Sequence, residues 1–355
     1  SENNQTTFTG ATSEYKSTTT GYEVLDNSIA TNSTGAHVTI KDATEVSNIL
    51  PRNVGDEGII IQDTATVGKL YVEAAEFNDY DYQNKLLFDF SDNTATQTVD
   101  VYPWRASNLR INRNDFAKAP SNVTFNLLAT DYRLENDGTF YDLIYVTQTR
   151  TQCVCGGKAA NVGDHVCDNT VVFTEWYTPD SLPTSGNYYL TNNVNMATAT
   201  TTGDLNLDLN GFDIKKTEAV VLFQVPAGNT FNLTDTVGTG SIDGDNILTA
   251  SDGANILVNG TFNMFDGTIK NGNAGQDTNG EKGGNVSVEP SAVMNMYGGT
   301  IKDGKANKGG NICTDYATTG THGVLNMYAG SITGGTAVTA GGNLFMYDAA
   351  VANVN

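Results

Sequence analysis

Phe262-Asn263-Met264-Phe265-Asp266-Gly267-Thr268-Ile269, Met294-Asn295-Met296-Tyr297-Gly298-Gly299-Thr300-Ile301 and Leu325-Asn326-Met327-Tyr328-Ala329-Gly330-Ser331-Ile332 align without a gap, their asparagines 32 and 31 residues apart. A further 31 residues upstream stands Asn232, in Phe231-Asn232-Leu233, followed after a short insertion by Gly240-Ser241-Ile242. Repetition at this period marks a solenoid, because one unit cannot bury its apolar face alone and must stack on the next. In each unit the apolar residues flank an asparagine, so they share one face of a strand, and that face is expected to be the coil interior. Stacking then places Met264, Met296 and Met327 in an internal ladder and Phe265, Tyr297 and Tyr328 in an aromatic one. Core filling accounts for the methionines better than metal binding does. Asn232, Asn263, Asn295 and Asn326 point either to solvent or into a bend where their amides bond to the coils above and below.

A second motif, Gly283-Gly284-Asn285, Gly309-Gly310-Asn311 and Gly341-Gly342-Asn343, predicts a corner that needs positive φ and tolerates no Cβ. No Lys-Ser/Thr follows these glycines and no helix begins there, which argues against a phosphate-binding loop. Met346 follows Met327 by only 19 residues, so a shortened last unit with altered coil geometry is expected. The repeat breaks off at the C-terminal end without a polar cap, which suggests a solenoid that continues or stacks head-to-tail into a filament.

These Asn-Met-Tyr-Gly-Gly-Thr-Ile units and Gly-Gly-Asn corners resemble the repeats of large cell-surface and secreted β-helix proteins of Gram-positive gut bacteria, over roughly residues 150–355. The resemblance implies a right-handed parallel β-helix in an adhesin-like protein, and Leu205 to Ile214 looks like a first coil of such an array.

The regions on either side of residue 150 differ in composition. Seven glycines lie in residues 1–150 and thirty in 151–355, whereas all six arginines fall in the first part. Residues 1–36 form a polar segment or edge strand, with Gly21 to Leu25 the only compact apolar patch. From 37 to 150 short β-branched runs bounded by Asn, Asp or Gly predict a β-rich domain: His37 to Ile40, Gly58 to Ile61, Lys69 to Val72, Leu86 to Phe90 and Leu109 to Ile111. Phe140 to Val146 follows Asn136-Asp137-Gly138 as the second arm of a hairpin. The fold class expected is all-β, with a Cys/His clip at 151–177 and parallel β-helix repeats from 178 to 355.

In the clip, Cys153-Val154-Cys155 and His165-Val166-Cys167 place three thiols and an imidazole within 15 residues, the ligand set of a structural Cys3His zinc site. Gly156, Gly157 and Gly163 let the loop turn back so that the four side chains converge, and Trp176 and Tyr177 are placed to pack over them. The competing arrangement is a disulfide from Cys167 to Cys153 or Cys155, which leaves one thiol unpaired and gives His165 no task. Cys313 is expected to be a lone buried residue.

A net charge of −21, from 40 acidic and 19 basic residues, argues against nucleic-acid and anionic-membrane partners, and most of these carboxylates read as a solvated surface. No run of 18 apolar residues is present, so no membrane span is expected. Polysaccharide lyases and hydrolases also use parallel β-helices, but residues 151–355 hold no arginine, and Lys270, Lys302, Lys305 and Lys308 read as solvated. Asp204, Asp208 and Asp213, and Asp243 with Asp245, come without an evident base or nucleophile. The expectation is a non-enzymatic extracellular or cell-surface protein that associates with itself or with a host or glycan surface; the rival is a carbohydrate-active β-helix enzyme.

Overall fold

A computed structural model describes residues 5–9, 28–30, 36–43, 45–50, 54–73, 86–104, 112–158, 162–168, 170–276, 280–318, 320–347 and 352–354. Every regular element among them is a strand. The chain divides into two compact units, Ser1–Thr147 and Gln148–Asn355.

In the second unit, short strands joined by turns wind a β-solenoid with three sheets. The first holds nine strands: the antiparallel pair Thr149–Cys153 and Thr170–Trp176, then seven parallel ones from Gly186–Leu190 to Ala352–Val354. The second runs from Val194–Met196 to Ser331–Thr333 and the third from Thr200–Thr201 to Leu344–Met346, each with six parallel strands. One coil contributes one strand to each sheet, so the sequence repeat is the coil circumference. Phe231, Phe262, Met294 and Leu325 align in register and are fully buried, as are Leu233, Met264 and Met296. Phe223, Phe231 and Phe262 stack at 4.8 and 5.3 Å. The methionine and aromatic ladders therefore form where the repeat places them.

The asparagines between those apolar residues are part-buried and face out of the first sheet as an amide ladder. Asn326 donates to Asn295, Asn295 to Asn263 and Asn263 to Asn232 at 2.7–2.8 Å, and the ladder runs on through Asn206 to Asn187. A second ladder, of the corner asparagines, is buried more deeply. Asn255, Asn285 and Asn311 are fully buried, and each donates both to the asparagine of the following coil and to a backbone carbonyl, Lys270, Lys302 or Thr333. Buried amides persist only when every lone pair and proton is used, and these use nearly all of theirs.

The last coil departs from the expectation. Leu344-Phe345-Met346 pairs with Ile312–Thr314 in the third sheet, and the continuation of Leu325–Met327 in the first sheet is Ala352–Val354. The coil is therefore not shortened. Met346 mimics Met327 in its local sequence but stands one sheet away, because sheet membership is set by position after the glycine corner.

The first unit is wound in a similar way on two sheets. Gln5–Thr9, Ala36–Lys41, Val54–Ile61, Phe88–Asp89 and Arg113–Lys118 are parallel in one, while Ser28–Ala30, Glu45–Leu50, Thr66–Glu73, Gln97–Trp104 and Val123–Leu127 are parallel in the other. The expected hairpin is present as Tyr132–Asn136 against Tyr141–Tyr145. Ile40, Ile59, Phe88, Val101 and Phe116 are fully buried in its core. The patch at Gly21 to Leu25 and the run at Leu109 to Ile111 lie outside the described residues.

Lys216 is an exception to the apolar interior of the solenoid. It is fully buried, and its Nζ donates to Thr249 Oγ1 and Ala254 O, both at 2.8 Å, which are neutral acceptors. Burial pushes its ammonium down to about 8 from the usual 10.5. The unfolded chain then binds this proton more tightly than the folded one, so folding is penalised below pH ~8 by roughly 3 kcal/mol, a penalty relieved as pH rises toward the unfolded value. Chemical denaturation between pH 7 and pH 10.5 is expected to show stability rising with pH, and Lys216→Met to flatten that rise. An identical slope in both proteins would refute the assignment.

Candidate functional site

Two clusters of reactive side chains stand on the solenoid. The first is the clip, which starts at the end of Thr149–Cys153 and runs along one edge of the first sheet, meeting successive coils in turn. Arg150 stacks its guanidinium on Tyr189, 4.1 Å from the ring centre, and pairs at 2.5 Å with Asp208, whose carboxylate is fully buried. Gln152 and the backbone amides of Asn210 and Thr236 also donate to that carboxylate. On the next coil Thr234 donates to the Cys155 carbonyl. Beyond it, His165 packs on Phe265 and Tyr297, with ring centres 4.6 and 5.4 Å away, and the Tyr297 hydroxyl donates to Asp164 at 2.8 Å. Gly163 lies against the ring of Tyr328, where a Cβ would come within 2.4 Å of the ring, and its φ is +61°. Asp208, Thr234, Phe265, Tyr297 and Tyr328 occupy equivalent positions in consecutive coils, so the aromatic ladder is the bed on which the clip lies.

Within the clip Cys153 and Cys167 are joined as a disulfide, and Cys155 is a free, buried thiol. The structure thus draws the competing arrangement rather than four separate ligands. Cys155 Sγ nevertheless lies 3.3 Å from Cys153 Sγ, and the ligand atoms of Cys153, Cys155 and His165 all fall within 4.8 Å of one another. His165 Nε2 is buried with no hydrogen-bond partner. Burial lowers the His165 imidazole, against the opposing pull of Asp164 and Asp168, which favours the neutral, lone-pair-bearing form. Trp176 does not cover the cluster: its indole donates to Ser181 O and its ring packs on Tyr188.

The second cluster lies at the ends of the third-sheet strands. Lys282 Nζ pairs with Asp315 Oδ2 at 2.5 Å, and its backbone amide donates to Asp252 Oδ1 at 2.6 Å. Ser287 Oγ donates to Glu289 Oε1 at 2.8 Å. Tyr347 lies beside this group: Lys282 Nζ stands 5.1 Å from its ring centre, Lys308 Nζ donates to its hydroxyl at 2.9 Å, and Tyr316 packs on it with His322 beyond. Lys308 is therefore part of this group rather than a solvated turn residue. Burial raises the carboxyl groups of Asp252 and Glu289, so both hold a proton more readily than an ordinary carboxylate. Burial opposes the charge on Lys282, but its bond to Asp315 prevails and raises it. Cys313, fully buried as expected, is pushed up to about 12 by burial and stays a thiol. A positive amine beside two proton-retaining carboxyl groups and aromatic rings is chemistry that can hold a sugar or transfer a proton to one.

This cluster has a sequence signal that the search for strand-internal carboxylates misses. Glu289, Asp315 and Tyr347 each stand six residues after the first glycine of a Gly-Gly-Asn corner, and the ladder of backbone bonds carries them into one column. The remaining carboxylates do not assemble a site. Asp208 is bound by Arg150, while Asp213 accepts from Ser241 and Asp243 from Asn271. No protein-family model, curated protein or solved structure matches the chain. No helix among the described residues is long and apolar enough to cross a membrane.

Proposed function

We propose that the chain is an extracellular structural and adhesive surface protein whose solenoid presents a repeated polar flank to a host or glycan surface or to further copies of itself. The observation that supports this reading is the coil-to-coil identity of the outward columns. Beside the amide ladder of the first sheet, Ser241, Thr268, Thr300 and Ser331 stand in register on the second, with Asp243, Lys270, Lys302 and Thr333 two residues further along. Such a surface offers the same hydroxyl and charged groups at each strand spacing of about 4.8 Å, which suits a polymeric partner. The Cys153–Cys167 disulfide accords with an oxidising compartment, and the charge of −21 disfavours nucleic acid. Binding of the full chain to arrayed host and bacterial glycans, together with sedimentation at high concentration, tests the proposal. Retention on glycans without product release, or reversible self-association, is expected; a monomer that binds no surface would overturn it.

The Lys282, Asp252 and Glu289 cluster favours a second reading, a carbohydrate-active enzyme. Release of reducing ends or unsaturated products from an acidic or neutral polysaccharide, lost at least about 100-fold in Glu289→Gln or Asp252→Asn, would establish it in place of the first.

A further inference from the structure

We infer that Cys153, Cys155, His165 and Cys167 bind one zinc ion when the Cys153–Cys167 bond is reduced, and that this metal fastens the clip along the coils beneath it. The inference does not depend on the proposed adhesive role.

Three observations carry it. Tetrahedral zinc, with bonds of about 2.3 Å to sulfur and about 2.0 Å to nitrogen, sets its ligand atoms roughly 3.5–3.8 Å apart. Cys153 and Cys155 already stand 3.3 Å apart at sulfur, and His165 completes a set within 4.8 Å. Cys167 Sγ, bonded to Cys153 Sγ, is in the same place. The disulfide leaves two groups without employment, the buried Cys155 thiol and the partnerless Nε2 of His165. A single ion occupies both, and with four protein ligands it leaves no position for water or substrate, so its role is structural. Finally, the ligand-bearing loop is held from outside the cluster: Thr234 holds the Cys155 carbonyl, Tyr297 holds Asp164, and Phe265 and Tyr297 flank the imidazole. The ligands are thereby oriented before any metal arrives, as a tight site requires.

Opening the disulfide consumes two electrons and two protons from an added phosphine or dithiol. Zinc then displaces three thiol protons, one from each cysteine, and takes the lone pair of neutral His165. The test uses the full chain, reduced with a phosphine and titrated with Zn²⁺ against a chromophoric chelator, with Co²⁺ as a spectroscopic probe of thiolate coordination. One equivalent of zinc and a tetrahedral thiolate spectrum are expected. Cys155→Ala and His165→Ala should each weaken binding by about 100-fold or more, while Cys313→Ser leaves it unchanged. Cys155→Ala keeps both disulfide cysteines, so its oxidised form retains the covalent staple and its fold is checked separately by circular dichroism. If reduction unfolds the wild-type chain, zinc is expected to restore the fold. A reduced chain that takes up no stoichiometric zinc, that stays unfolded with zinc present, or whose Cys155→Ala variant binds as tightly as wild type would overturn the site.

Discussion

Replacing Asn285 with alanine is expected to destabilise the solenoid by about 4 to 6 kcal/mol, since loss of each buried hydrogen-bond partner costs about 1–3 kcal/mol. The Asn285 side chain is fully buried and makes four bonds: its Nδ2 donates to Lys302 O and Asn311 Oδ1 at 2.8 Å, and its Oδ1 accepts from Asn255 Nδ2 and Gly272 N at 2.9 Å. Alanine leaves all four partners in a space without access to solvent and interrupts a ladder spanning neighbouring coils. The outer ladder provides the control. Asn263 makes the same inter-coil amide bonds, but it is only part-buried, so water can replace the lost partners and Asn263→Ala should cost about 1 kcal/mol. Denaturant unfolding of the full chain, followed by hydrogen exchange at the third-sheet strands, measures both. Equal effects of the two substitutions would show that the buried ladder is not the stronger clamp.

Gly284→Ala is expected to cost about 3 kcal/mol, the upper end of what overpacking does. Its backbone does not require positive φ; the constraint is space. A Cβ there would stand 2.1 Å from Gly310 O, 2.4 Å from Lys305 N and 2.7 Å from Lys305 O. All three are backbone atoms of the following coil, held by inter-coil hydrogen bonds, so no rotamer change relieves the contact. The first glycine of the motif answers a different need: Gly283, Gly309 and Gly341 have φ of +61 to +65°. Gly280→Ala separates the two effects. Gly280 has a φ of +94° but nothing within 4 Å of its Cβ position, so only conformational strain is added, about 1 kcal/mol. Thermal unfolding of the two variants in parallel checks the ranking, and a Gly280→Ala cost equal to that of Gly284→Ala would mean that inter-coil spacing is not the limiting factor.

The repeat was legible because its physics is local in register. Residues 31 or 32 positions apart occupy the same place in successive coils, so Met264 over Met296 and Asn263 over Asn295 follow from spacing and strand alternation alone. The same reasoning misplaced Met346. A strand of three or four residues carries too little pattern to say which of three sheets it joins, and only its distance from the Gly341-Gly342 corner does so. In the first unit the runs at Val38, Ile59 and Leu70 were recognisable as strands, but their parallel pairing was not. Without a repeated motif, a run of alternating apolar residues suits a parallel or an antiparallel neighbour equally.

The sequence by itself determined the coil of the second unit, its period, the ladders of Met, Asn and aromatic side chains, and the gathering of three thiols and an imidazole within one short segment. Each is a consequence of order along the chain, whether of period, alternation or proximity. Only the tertiary structure decided that the clip lies on the Phe265–Tyr297–Tyr328 bed, that Cys153 meets Cys167 while Cys155 and His165 remain beside them, and that Lys282 joins Asp252, Glu289 and Asp315. Those juxtapositions join residues from different coils or across a folded-back loop. The angle through which the chain turns at each corner sets them, and that angle is the sum of many backbone conformations and packing contacts that no single stretch of sequence contains.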